Sequence, residues 1–221
     1  KPKTCWFVSY LPDLNYNNGD AREEHLNQAM WWAKETGADG FRLDAVKHIE
    51  MSFIEDLRWR AKQELELTGV DFYIVGETFT GDIGQINSFV GDDKIHAQFD
   101  FPSNMEILKG FARQEIGLGV MDNAVRGIKA QYGDASPFMS TFLGNHDIAR
   151  FISQASGEIT CGVWDIVSNI NQGWNNPPGT PETNAPYDKL LLAFTYVMTV
   201  PGIPLVYYGD EVGLPGGGDP D

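Results

Sequence analysis

The stretch GADGFRLDAVKHIE, Gly37 to Glu50, decides how the rest of the chain is read. Its opening Gly-Ala-Asp-Gly is the kind of run that ends one element and starts another. Phe41 and Leu43 then alternate with Arg42 and Asp44, so the apolar pair shares one face of a strand and the charged pair the other. The stretch otherwise reads as a buried strand, and burying two ions costs several kcal/mol each before their attraction returns any of it. Val or Ile at both positions would serve stability better. A buried Arg42–Asp44 pair therefore points to function, with a structural salt bridge as the alternative.

The same grammar of helix, Gly/Asp turn and apolar strand recurs on both sides. AREEHLNQAMWWAKET (Ala21–Thr36) sets Leu26, Met30 and Ala33 on one side of a helix ended by Gly37, and Trp32 is assigned to the core with them. SFIEDLRWRAKQELEL (Ser52–Leu67) is the next helix, with Ser52 and Glu55 spaced as a capping box. Asp71–Val75 reads as a strand ending at Gly76-Glu77-Thr78. Further strands are expected at Ile95–Phe101, Pro137–Leu143 and Ile203–Tyr208, and an apolar helix at Asp188–Thr199 that stops at Pro201-Gly202. Strands alternating with helices give parallel βα units. Five strands fall short of the eight of a closed barrel, and no glycine-rich phosphate fingerprint supports an open doubly wound sheet. Gly157 to Tyr187, rich in Gly, Pro and Asn, reads as one long loop of a length that suggests lining a site, with the aromatic rings of Trp174 and Tyr187 available for stacking or for packing the loop.

The chain has 221 residues, 42% of them hydrophobic, which is enough to build the core of one or two domains. Thirty-one acidic against sixteen basic side chains give a formal charge of −15. Such a surface repels phosphate backbones and anionic lipid heads, which argues against nucleic acid and membrane partners and leaves neutral ligands and cations. There is no apolar run of membrane-spanning length and no signal peptide, although a chain that opens Lys1-Pro2-Lys3 could have a targeting segment upstream. Cys5 and Cys161 allow one intramolecular disulfide and match no zinc spacing.

Three acids stand at or just past the C-terminal ends of separate strands: Asp44 in FRLDA, Glu77 in IVGET and Asp147 in FLGNHD. That edge is where active sites gather in parallel α/β proteins. A single acid there is most often a helix cap. Three, each with an unusual neighbour, ask for chemistry. Arg42 beside Asp44 would keep that carboxylate ionised and aimed, which suits a nucleophile. Glu77 follows Phe72, Ile74 and Val75 with no basic neighbour in sequence, and an apolar setting suits a proton donor. Two carboxyl groups tuned in opposite directions are the equipment for splitting a glycosidic bond.

These residues carry a resemblance to the α-amylase superfamily, glycoside hydrolase family 13. GFRLDAVKH (Gly40–His48) is similar to its fourth-strand motif, VGET (Val75–Thr78) to the fifth, FLGNHD (Phe142–Asp147) to the seventh and GIPLVYYGDE (Gly202–Glu211) to the eighth. LPDLN (Leu11–Asn15) resembles the motif near the end of the family's inserted B domain. The resemblance implies strands four to eight of a (β/α)8 TIM barrel, with residues 1–20 the end of the B domain and residues 21–221 the C-terminal part of the catalytic barrel. It implies a retaining glycosidase that cuts internal α-1,4 bonds of starch-like glucans or malto-oligosaccharides. Asp44 would be the nucleophile, Glu77 the general acid and base, and Asp147 the transition-state stabiliser helped by His146. Arg42 would orient Asp44, and Lys47 and His48 would face the aglycone side.

A structural calcium ion is implied as well, held by the Asp13 side chain and the backbone carbonyl of His48, since a hard cation takes oxygen ligands. Two departures stand out: Asn15 replaces the Asp of the commoner amylase motif, as in oligosaccharide-cleaving subfamilies, and Gly144 replaces a polar residue before Asn-His-Asp. Starch is too large to enter a cell, so an extracellular or periplasmic site is expected. A stretch lacking the first three strands would be inactive and marginally stable alone. The rival readings are an α-glucosidase, transglycosylase or cyclodextrin-forming enzyme of the same family, a non-catalytic barrel relative, and an unrelated barrel using its acids to bind magnesium.

Overall fold

The structure is a computed structural model and describes residues 10–67 and 69–218. Cys5 lies outside the described residues, and with it any pairing to Cys161. The chain divides into two compact units, one ending at Phe99 and the other beginning at Asp100.

The first unit alternates helix and strand: α1 (Gly19–Thr36), β1 (Gly40–Leu43), α2 (Met51–Glu64), β2 (Tyr73–Gly76), α3 (Ile83–Asn87) and β3 (Ala97–Gln98). The strands form a parallel sheet in the order β1-β2-β3, with Arg42 opposite Val75 and Val75 opposite Ala97. Helix α1 starts where the Asn18 side chain accepts from the Asp20 and Ala21 N–H groups. It stops at Gly37, whose φ of 66° lies in the left-handed region that glycine enters without penalty. Leu26, Met30 and Ala33 from α1, with Phe53, Ile54, Leu57 and Ala61 from α2, bury against Val46, Phe72, Ile74 and Ile95.

Four expectations for this unit are overturned. Arg42 and Asp44 are not buried: strand β1 ends at Leu43, and the Asp44 side chain is 69% exposed. Phe41 and Leu43 pack against the core, while on the opposite face the Arg42 side chain stays partly exposed and Asp44 stands largely in solvent. The Ser52–Glu55 capping box does not form, because α2 begins one residue earlier, behind Glu50, and Ser52 falls inside its first turn. That helix also ends at Glu64 rather than Leu67, since Glu66 turns inward to pair with Arg58 and accepts the Phe72 N–H. Trp32 is exposed and meets Trp31 edge to face; its place one residue off the Leu26–Met30–Ala33 stripe rotates it away from the core.

The second unit holds α4 (Phe101–Ile107), which runs into a π turn at Leu108–Ala112, then α5 (Leu118–Gln131), β4 (Ser140–Phe142), α6 (Phe151–Ala155), α7 (Ile166–Asn175), α8 (Ala185–Thr199) and β5 (Ile203–Leu205). Strands β4 and β5 pair in parallel, Phe142 opposite Leu205. The expected strand at Ile95–Phe101 is shorter because Asp100 caps α4 through the Ser103 N–H. The carboxylate of Asp100, fully buried, also accepts from the Tyr132 hydroxyl at 2.8 Å and meets Lys129 Nζ at 3.2 Å, and Lys129 reaches Thr141 Oγ1 at 3.0 Å. Burial, reinforced by the Asp100 charge, pushes the Tyr132 hydroxyl far above its ordinary range. The stretch from Gly157 to Tyr187 is not all loop: Asp165 caps α7 through Ser168, and Asn169 Nδ2 donates to the Gly162 and Asp165 carbonyls. Trp174, near the end of α7, is exposed. No helix among the described residues is long and apolar enough to cross a membrane.

His96 gives the first unit a pH dependence. Its Nδ1 accepts the Ile74 N–H at 3.0 Å, so the proton sits on Nε2, which is buried without a hydrogen-bond partner. Burial holds the imidazole below its ordinary value, helped by Arg58 and opposed by Glu66 and Asp71. The unfolded chain therefore takes up a proton first as the pH drops below about 6.5. His96 contributes its full stability above that pH and loses it on acidification toward the lower folded value. Urea unfolding between pH 7.5 and 5.5 should show falling stability, with a shallower slope in His96→Asn.

Candidate active site

Asp44 and Glu77 each stand one residue past the end of neighbouring parallel strands. The ladder does not stop with the strands. The Glu77 N–H donates to the Leu43 carbonyl at 2.9 Å, and the Glu77 carbonyl accepts from Val46 N–H at 2.8 Å. Between them Ala45 takes a φ of 46°, a left-handed conformation uncommon for a residue with a Cβ, so the chain turns at once into the short helical turn Val46–His48. Both acids are thus fixed at the backbone while their side chains leave the sheet.

Arg42 joins them. Its Nη1 donates to Asp44 Oδ1 at 2.6 Å and its Nη2 to Glu77 Oε2 at 2.8 Å. The guanidinium also lies 5.5 Å from the centre of the Phe99 ring. The apolar, unpaired setting expected for Glu77 is corrected here: its side chain is 6% exposed, but Arg42 is its ion-pair partner. Register explains it. With Arg42 opposite Val75, the residue two further along β2 lies on the Arg42 face. One guanidinium therefore serves a solvent-facing carboxylate and a buried one.

Lys47 and His48 follow on the same turn. The Lys47 ammonium donates to the Phe79 carbonyl at 3.0 Å, tying the turn after β1 to the one after β2. In the second unit, Asp147 stands five residues past β4. Its N–H donates to Asn145 Oδ1 at 3.1 Å, and His146 Nε2 is 3.6 Å from Asp147 Oδ1. Asn104, which sequence reasoning passed over, holds the end of β4 by donating to the carbonyls of Phe142 and Leu143, both at 3.0 Å. An asparagine in a first helical turn gives no signal for that task.

Calcium takes six to eight oxygen ligands. Among the described residues no three His, Cys, Asp or Glu side chains gather closely enough to hold a metal. Asp13 and Glu50 both act on Tyr16, whose hydroxyl burial and then those two charges push above its ordinary value. Glu50 Oε2 is buried without a hydrogen-bond partner. These oxygens are part of what a hard cation wants and do not complete a cage.

Parallel strands alternating with helices place the chain in the α/β class, where active sites gather at the C-terminal edge that carries these acids. The particular family follows from comparison: the model of the alpha-amylase catalytic domain matches residues 4–174, and the chain belongs to that family. It is 32% identical over 220 residues to the beta/alpha-amylase of Paenibacillus polymyxa, covering 96% of this chain and 15% of that protein. It is 29% identical over 221 residues to a cyclomaltodextrinase from a Bacillus species, covering 98% of this chain and 33% of that protein. The alpha-amylase of Geobacillus thermoleovorans, solved with acarbose, superimposes with a TM-score of 0.75 at 30% identity, over 97% of this chain and 42% of its own. The chain spans less than half the length of each of these relatives.

Gly76, directly before Glu77, is a packing requirement. A Cβ there would lie 2.5 Å from Ile95 Cδ1 and 2.7 Å from Val46 Cγ2. Gly76→Ala should cost about 1–3 kcal/mol in urea unfolding, the usual penalty for overpacking.

Proposed function

We propose that the protein carrying this chain is a retaining glycoside hydrolase that cleaves internal α-1,4-glucosidic bonds of starch-like glucans. The observation that carries this reading is the single guanidinium shared by Asp44 and Glu77. Retaining glycosidases need two carboxyl groups about 5–5.5 Å apart, and inverting ones leave about 6.5–9.5 Å for a water. Bonding to two nitrogens of one guanidinium favours the closer spacing.

In the proposed reaction Asp44 attacks the anomeric carbon as Glu77 protonates the departing glycosidic oxygen. The aglycone leaves and a glycosyl ester forms on Asp44. Glu77, now a carboxylate, takes a proton from water, which attacks the same carbon and releases Asp44. Two inversions restore the starting configuration. Arg42 keeps Asp44 aimed and supplies the counter-charge that a buried Glu77 carboxylate requires. Asp147, with His146, grips sugar hydroxyls as positive charge develops on the ring. The five strands would be the fourth to eighth of a (β/α)8 barrel, and starch cleavage by the isolated 221 residues would count against that placement.

A second reading, cleavage of cyclic or short oligosaccharides or transfer to a sugar acceptor, is favoured by the likeness to a cyclomaltodextrinase and by Asn15. It shares every step to the glycosyl intermediate. Product analysis on soluble starch, maltose and a cyclodextrin separates the two. Rapid loss of iodine staining with mixed short products is expected. Glucose from maltose with starch left long, or preferential opening of the cyclodextrin, would move the assignment to the second reading. Glu77→Gln should lower kcat about 10²- to 10⁴-fold, the usual worth of a general acid–base.

Calcium, with Asp13 and the His48 carbonyl among its ligands, belongs to the same proposal. A chelator should then lower Tm, and added calcium should restore it. An unchanged Tm would remove the ion from the account.

A further inference from the structure

The turn that displays His146 and Asp147 begins after Gly144 and ends at Arg150, and both of those residues meet one side chain, Asp210. Arg150 Nη1 lies 3.2 Å from Asp210 Oδ1, and the two side chains are 1% and 2% exposed. The same nitrogen donates to the Tyr208 carbonyl, and the guanidinium stacks 4.2 Å from the Tyr207 ring centre and 4.7 Å from that of Tyr208. On the other side of the turn, a Cβ on Gly144 would fall 2.9 Å from Asp210 Oδ2, closer than real Cβ atoms come. Gly144 therefore leaves the room that the carboxylate occupies. Asp210 itself opens the short helical turn Asp210–Val212 after β5, between Gly209 and Gly213, both left-handed with φ of 84° and 69°.

We propose that Asp210 is a positioning residue: it staples the two ends of the His146–Asp147 turn, through Arg150 at one end and the space left by Gly144 at the other, and so sets where the Asp147 carboxylate stands. The proposal rests on the reading of Asp147 as the group that stabilises the transition state. The guanidinium plane stacks on the Tyr207 and Tyr208 rings while its Nη1 meets Asp210, a combination that a lysine ammonium lacks. An ion pair this deeply buried is also a costly way to obtain stability alone.

The test compares Gly144→Ala, Asp210→Ala and their double variant in the protein carrying this chain. Val125→Ala, a buried change on α5 outside the staple, serves as a control for lost stability. Each is assayed for kcat, KM and the Ki of an oligosaccharide inhibitor whose ring mimics the flattened, cationic transition state. Misplacing Asp147 should lower kcat at least tenfold with KM within about twofold, and should weaken the inhibitor in proportion to kcat/KM. The double variant should be no worse than Asp210→Ala, because the alanine methyl then meets no carboxylate. Val125→Ala should keep its Ki even where its Tm falls. Should Asp210→Ala fail to fold, Asp210→Asn carries the same comparison.

Unchanged Ki in both single variants, with Asp147→Asn inactive, would overturn the staple and leave the proposed function standing. Full activity in Asp147→Asn would overturn the reading of Asp147 and the staple with it. Additive losses in the double variant would also count against the staple.

Discussion

The first unit depends on a guanidinium that two carboxylates share. Glu77 is almost fully buried, and an ionised carboxylate taken out of water without a partner costs more than a fold of this size can spare. Arg42 supplies the partner, yet it reaches Glu77 from the strand face that opens to solvent, where its own hydration is only partly lost. The second nitrogen of the fork then fixes Asp44. One residue thus makes a buried acid tolerable and an exposed one stationary. Lysine, with a single point charge on a flexible stem, could satisfy either acid but not fix both.

The geometry has a backbone cause. In a parallel ladder the residue after each strand keeps its neighbour's hydrogen bonds for one more step, as Glu77 does with Leu43 and Val46. Its side chain follows the strand alternation onto the Arg42 face, where it is buried beside that guanidinium. Asp100 shows that the position alone does not make a site. It stands two residues past β3, yet its carboxylate is enclosed by Ser103, Tyr132 and Lys129 and reaches no solvent. Three of the protein's own donors bond to it, the Ser103 N–H and Tyr132 hydroxyl on one oxygen and the Lys129 ammonium on the other. At Asp44 one side of the carboxylate is bonded and the rest faces water. The difference between an enclosed acid and a displayed one here is which directions are left open.

Much of this was legible in the chain, for reasons that can be named. Alternation at Phe41–Asp44 and the Gly37 stop are local, and local rules place α1, β1 and their boundary. Arg42 and Asp44 were read as a pair because they are two apart on one strand. Their exposure was not legible, since a period of two says which residues share a face and not which face is covered. The Arg42–Glu77 bond was missed because it depends on register, and the stretch of sequence between Arg42 and Glu77 says nothing about register. Helix α7 was hidden by composition: Asn, Gln and Gly read as loop, and the capping by Asp165 and the Asn169 bonds to Gly162 and Asp165 override that weak preference. Strands β3, β4 and β5 are shorter than expected because the hydrophobic runs that contain them extend beyond the paired residues into flanking turns and, at Phe101, into α4.

The two units solve the same problem by different means. In the first, the backbone ladder itself carries Asp44 and Glu77, so there is little turn to immobilise. In the second, Asp147 stands five residues beyond β4, too far for the ladder to hold it. Its turn is closed locally by Asn145 and anchored at the strand by Asn104. Those bonds fix the near end only. The far end, at Arg150, is held by a buried ion pair with a residue some sixty positions later in the chain. A residue displayed on a longer turn needs a longer-range tie, which is a physical reason for a charged pair buried at this place.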